Sequence, residues 1–202
     1  MIFEFLRKLV CPFEEIEKYV PKKGKILDIG CGHGIFSRQL ALSSPKRTVL
    51  GIDPSEKKIS HALKTIKNIK NISFRKTYLD NIKSNNFQGI VIVDILYLLP
   101  PIEKLKMLNQ INRMLSRNGK LIIKLEVTKP NWLFYLLKIE EIIMVKLLRF
   151  TFSSFQKFHY MEPEKYKKIL KQAGFIIQKE IIIGSFIPYQ HPIIVATKKL
   201  NA

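Results

Sequence analysis

The chain has 202 residues, 47% of them hydrophobic and 25% charged. That balance excludes a disordered or fibrous protein and allows a central sheet covered on both faces. Lys and Arg number 35 against 16 Asp and Glu, a net charge of +19, while two cysteines, Cys11 and Cys31, exclude a disulfide framework and a cysteine metal cluster.

Ile2 to Val10 is apolar but short, is broken by Glu4, Arg7 and Lys8, and precedes no small-residue cleavage site. A cytoplasmic chain is therefore expected. Strand-length apolar runs follow at 25–30, 47–52, 71–75, 88–95, 119–126, 175–183 and 192–198. Amphipathic stretches of helix length lie at 35–43, 55–67, 101–116 and 163–173, and Gly119 and Gly174 read as helix stops. No repeat, low-complexity tract or Gly/Ser linker divides the chain, so residues 1–202 are expected to form one domain. The alternation predicts an α/β fold: a three-layer, doubly wound, seven-stranded sheet, mostly parallel with an antiparallel last strand. Only GSFIPYQH separates the last two strands, which predicts a hairpin at the sheet edge.

Ligands of such sheets sit at the carboxyl ends of the strands. There, KILDIGCGHGIFSRQL at 25–40 runs from a β-branched strand through Gly30, Gly32 and Gly34 into a helix. The dinucleotide fingerprint needs Gly-x-Gly-x-x-Gly, but Ile35 stands where its last glycine should be, and no Gly-Lys-Ser/Thr makes a phosphate loop.

LDIGCGHG at 27–34 resembles motif I of the class I S-adenosylmethionine-dependent methyltransferases, a Rossmann-like superfamily. The resemblance implies that S-adenosylmethionine is the cofactor and that the backbone at Gly30, Gly32 and Gly34 approaches it, with Cys31 a small packing residue inside the loop. Asp28 suits the cationic end of such a ligand, and free N–H groups at a helix start suit its carboxylate. LGIDPS at 50–55 places Asp53, followed by Pro54, where the family has an acid for the two ribose hydroxyls. GIVIVDILYLLP, INRMLSRNGKLIIK and EPEKYKKILKQAGFII extend the likeness along the chain and bring Asp94 to the cofactor side. After the third strand the family often has an acid for the adenine amino group. Here two readings stay open: Asp80 reaches the adenine, or Tyr78 and Leu79 pack against its ring.

Methyl transfer from a sulfonium depends mainly on alignment, so no distinctive base is required. The signatures of base N-methylation and of cytosine C5 methylation are missing at DILY, residues 94–97. The segment 129–160 is rich in aliphatic and aromatic residues, yet Lys138, Glu140, Glu141, Lys146 and Arg149 interrupt it too often for a membrane span. Its plain reading is a crossover helix buried on the sheet; its functional reading is a lid over an apolar acceptor. With VDILYLLP and PYQHPIIVATK, it gives a looser resemblance to small bacterial methyltransferases of lipid-like or polyene products. Tyr97, Glu126 and His191 are the candidate catalytic residues, with His159 and Tyr160 beside them, and no metal site is expected.

The expected function is methyl transfer to a small apolar acceptor, with lysines able to meet the headgroups of an acidic membrane at its periphery. Two alternatives stand beside it: RNA methylation, suggested by the charge, and a non-catalytic protein that binds S-adenosylmethionine.

Overall fold

Strand β1, Gly24–Ile29, forms because Ile26, Leu27 and Ile29 are bulky residues that must bury side chains on both faces of a sheet. The computed structural model describes residues 11–125, 159–184 and 190–199. In chain order, a short helix α1 (Phe13–Glu17) precedes β1. Then follow α2 (Ile35–Leu42), β2 (Arg47–Asp53), α3 (Glu56–Lys64), β3 (Ile72–Lys76) and β4 (Phe87–Val93). The described elements end with α4 (Pro101–Met114), β5 (Leu115–Lys124), α5 (Pro163–Gln172), β6 (Phe175–Gly184) and β7 (Gln190–Lys198). Both α4 and α5 open on proline, whose missing N–H costs nothing in a first helical turn.

The seven strands take the order β3-β2-β1-β4-β5-β7-β6. The first five run parallel, and β7 is antiparallel to both β5 and β6. The predicted hairpin therefore forms, with β7 inserted next to β5 and β6 left as the edge strand. Side chains alternate between faces, and each face has its own core. Leu27, Ile90, Ile92, Leu121 and Ile123 pack with Leu108 and Ile111 of α4 and with Leu170 of α5. On the other face Ile26, Val91 and Ile122 pack with Ile16 of α1, Phe36 and Leu40 of α2, and Ile59 of α3.

Gly174 ends α5 with φ +76°, as expected. Gly119 does not stop a helix. Helix α4 ends at Met114, and Gly119 lies within β5, where a Cβ would stand 2.7 Å from the Phe87 carbonyl oxygen. The β4–β5 register shifts at this point, from Phe87↔Leu115 to Gly89↔Lys120, so the glycine serves a close strand approach.

Arg47, at the start of β2, is fully buried. Its guanidinium donates to Glu17 Oε1 (3.1 Å), Ser43 Oγ (2.6 Å) and the carbonyls of Val20, Pro21 and Leu40. One side chain thus ties α1 and the loop after it to α2, on the face that carries the glycine turn.

Candidate functional site

The strand order reverses between β1 and β4, which lie side by side. Their carboxyl ends open the crevice where ligands of such sheets bind. Two turns meet there. After β1 the chain passes through Gly30, Cys31, Gly32 and His33 and enters α2 at Gly34, with φ of +67°, +56° and +76° at the three glycines. After β4 comes Asp94 with φ +54°, then Ile95 and a single 3₁₀ turn, Leu96–Leu98.

The first two glycines serve different ends. A Cβ on Gly30 would stand 1.9 Å from Ile95 Cδ1, so the tip of that side chain would have to move, whereas a Cβ on Gly32 would meet nothing within 4 Å. The bare backbone of Gly32 faces open space at the carboxyl edge of β1. It is the cradle that a cofactor approaching the main chain requires, and the residues around it fit S-adenosylmethionine.

Asp53, the last residue of β2, braces this cradle. Its Oδ2 accepts from Gly32 N (3.1 Å) and its Oδ1 from Ser55 N (2.9 Å). Each carboxylate oxygen retains a lone pair for another donor. Ser55 in turn caps α3, accepting from Lys58 N. Pro54 between them is exposed.

Asp28 lies elsewhere than on the open side of the turn. Alternation puts it on the α2 face, where it is buried and its Oδ2 accepts from Ser37 Oγ at 2.5 Å. Burial pushes its carboxyl up to about 7, with the charge of Asp53 adding and the Ser37 hydrogen bond opposing. Burial also pushes the Cys31 thiol up, as do the charges of Asp28 and Asp53, which favours the neutral thiol. His33 meets His61 of α3 edge-on, with ring centroids 5.2 Å apart.

The turn after β3 separates its residues. Tyr78 is 67% exposed, whereas Leu79 is buried in the core. The Leu79 carbonyl accepts from Gln110 Nε2 (2.9 Å). Asp80 stands on the rim of a groove of about 410 Å³ with Lys83, Lys106 and Arg113, and no residue of the glycine turn lines that groove.

At the end of β4, Asp94 forms an ion pair with Lys124 of β5. Tyr97 is buried, with its ring stacked on Tyr160 at 5.3 Å and 5°. Its carbonyl accepts from His159 N (2.7 Å), and the fully buried Lys104 donates from Nζ to the His159 carbonyl at 2.5 Å. Burial pulls the Lys104 ammonium down to about 8. Tyr97, His159 and Tyr160 are thus brought together at one place. His191 does not sit in the hairpin loop: it belongs to β7, paired with Ile183, and its side chain lies outside the described residues. Glu126 and nearly all of segment 129–160 also lie outside them. Among the described residues no His, Cys, Asp and Glu group is placed to hold a metal, and no helix is long and apolar enough to cross a membrane.

Sequence reading placed Lys124 and Ile95 among the strand-end residues without a role or partner, and it did not single out Lys104 or Arg47. One signal was present. Lys124 ends the buried run LIIK, on the same face as Ile122, where a lysine has to find a partner.

Comparison with known proteins gives three results. A family model described as a methyltransferase domain matches residues 3–180. An uncharacterised protein of Rickettsia prowazekii (strain Madrid E) is 32% identical over 112 residues, which cover 54% of this chain and 44% of that protein. Among solved structures, magnesium protoporphyrin IX methyltransferase from Synechocystis PCC 6803, with bound S-adenosylmethionine, superposes with a TM-score of 0.68 at 18% identity, over 97% of this chain and 80% of that one. Mitomycin 7-O-methyltransferase gives 0.72 at 9% identity, over 92% of this chain and 52% of that one. At these identities the structural likeness is one of fold.

Proposed function

The chain belongs to the methyltransferase-domain family, and from that premise we propose that it moves a methyl group from S-adenosylmethionine to a small apolar acceptor. The observation that carries this reading is the pairing of Gly32 and Asp53. An open glycine backbone and a carboxylate with spare lone pairs stand together at the point where the strand order reverses.

When bound, the cofactor supplies an electrophilic methyl group on a sulfonium. The chain's own residues hold it in place. Asp53 takes the ribose hydroxyls on its free lone pairs, and the backbone of Gly30, Gly32 and Gly34 meets the methionine half. Asp28, beneath the turn, supplies negative charge to the cationic end, Asp94 shapes the cofactor side through the backbone of the turn after β4, and Cys31 and Pro54 fill the rim. Of the three residues after β3, the exposure of Tyr78 supports the reading in which it packs against the adenine. Leu79 is turned into the core and Asp80 stands on the other groove.

On the acceptor side, the stacked Tyr97 and Tyr160 form an apolar wall, and Glu126 and His191 complete the set of candidate residues. The apolar composition of segment 129–160 supports a greasy acceptor, for which it would serve as a lid. Similar folds that act on magnesium protoporphyrin IX and on mitomycin point the same way. The lysine-rich surface, with its net charge of +19, favours a peripheral location on an acidic membrane. It also supports a second reading, RNA methylation.

Methyl-labelled S-adenosylmethionine, incubated with a lysate of the source cells and then split into organic extract, RNA and protein, tests both readings. An Asp53→Ala, Gly32→Val double variant is the inactive control. Label in the organic phase, absent with the control, is expected; label in RNA alone would sink the apolar-acceptor reading. Tight cofactor binding with no labelled fraction would instead indicate a non-catalytic binder.

A further inference from the structure

The ion pair between Lys124 and Asp94 joins the ends of two neighbouring parallel strands, whose last paired residues are Val93 and Lys124. The two side chains are 5% and 10% exposed, so neither charge is well hydrated. Asp94 holds φ +54°, a left-handed conformation that favours glycine. The next residue, Ile95, stands against Gly30, with its Cδ1 1.9 Å from where a Cβ on that glycine would be. Lys124 itself is held on a rigid base, since β5 is paired with β4 on one side and with β7, through Ile193, on the other. A continuous chain of contacts therefore runs from an ammonium on β5, through the backbone of Asp94 and the side chain of Ile95, to the first glycine of the turn.

We propose that Lys124 is a positioning residue for the cofactor: by pairing with Asp94 it keeps the residue after β4 left-handed, which seats Ile95 against Gly30 and holds the glycine turn open. This rests on the reading of that turn as the S-adenosylmethionine site. The pair is too deeply committed to serve mainly as a counter-charge for the ligand, because a buried carboxylate already neutralised by an ammonium offers little extra attraction to a cation.

Two ligands separate positioning from charge. S-adenosylmethionine carries one positive charge more than S-adenosylhomocysteine. A geometric role affects both alike, and a charge role affects mainly the first. Calorimetric titration with each, alongside thermal unfolding, compares the wild type with Lys124→Met, Lys124→Arg and the double variant Asp94→Gly, Lys124→Met. Lys124→Met is expected to weaken both ligands equally, by about tenfold or more, and Lys124→Arg to stay within about threefold of wild type. The double variant is expected to fold and to recover to within about threefold, because glycine adopts the left-handed conformation unaided and no buried charge is left alone. The proposal is overturned if Lys124→Met binds both ligands within about twofold of wild type, or if only S-adenosylmethionine is affected. It is equally overturned if the double variant fails to fold, or folds and binds as poorly as the single one. Should Lys124→Met not fold, the double variant decides alone. A wild type that binds neither ligand would overturn the cofactor reading, and this proposal with it.

Discussion

Ile95 Cδ1 stands 1.9 Å from the point that a Cβ on Gly30 would occupy, so the turn after β1 and the turn after β4 interlock through these two residues. Gly32, two positions on, has the same left-handed backbone and open space beside it. Alanine should therefore act differently at the two sites. Gly30→Ala adds overpacking of about 1–3 kcal/mol to the left-handed penalty, and a clear drop in melting temperature is expected. Gly32→Ala pays only the left-handed penalty, about 1–2 kcal/mol, yet puts a methyl group in the cradle. It should fold and lose cofactor binding. Normal S-adenosylhomocysteine affinity in folded Gly32→Ala would show that the cradle is not where the ligand sits.

Asp53 braces the turn inside the protein, and in the proposed reading it also meets the ligand. Asp53→Asn keeps a single acceptor oxygen; Asp53→Ala leaves the N–H groups of Gly32 and Ser55 without their side-chain partner. Cofactor affinity should fall in the order wild type, Asn, Ala. The Ala variant should lose about 2 kcal/mol, roughly thirtyfold, the scale of hydrogen bonds to a charged group. Equal affinities for Asn and Ala would mean that the charge alone matters.

Arg47 predicts a stability effect without a direct ligand effect. Arg47→Met removes a buried donor shared by Glu17, Ser43 and three carbonyls, of which Glu17 keeps Lys22 and Gln39 and the Leu40 carbonyl keeps the Ser43 hydroxyl. A loss of about 3–5 kcal/mol is expected from urea unfolding. Glu17 adds a pH signature. Burial opposes its ionisation, but hydrogen bonds from Ser43, Gln39, Lys22 and Arg47 outweigh that and hold its carboxyl down at about 2, from 4.5. Its folded value lies below its unfolded one, so its contribution is present above pH 4.5 and is lost as the pH falls toward 2. Glu17→Gln should flatten this acid limb; an unchanged limb would remove Glu17 from the account.

Asp28 has the opposite sign. Its carboxyl is raised to about 7 from 3.8, so the folded apo-protein binds the proton more tightly than the unfolded chain does. This contribution is complete below pH 3.8 and is lost as the pH rises through 7. A cationic ligand nearby favours the ionised form, so S-adenosylmethionine binding should tighten as the pH rises through neutrality. Asp28→Asn, which keeps an acceptor for Ser37, should abolish both trends. Persistence of the binding trend in that variant would assign it to another group.

The layout of strands and helices was legible because it is written in local chemistry. Runs such as KILDIG and GIVIVDI alternate their bulky residues, and the alternate glycines at 30, 32 and 34 suit a backbone that L side chains rarely adopt. Asp53 was legible for the same reason, as an acid at a strand end followed two residues later by a helix cap. The last helix turn before β5 was not, because Asn118-Gly119 looks like a helix stop until the close approach of Phe87 is known.

Sequence alone, then, determined the class of the sheet and the glycine turn at the carboxyl end of its first strand. The tertiary structure decided which charges share a space: Lys124 with Asp94 across 30 residues, Lys104 with the His159 carbonyl across 55, and Asp28 with Ser37 under the turn. The reason is physical. Strand, turn and helix preferences act over a few residues, while the state of a buried charge depends on whichever group the fold brings within hydrogen-bonding distance.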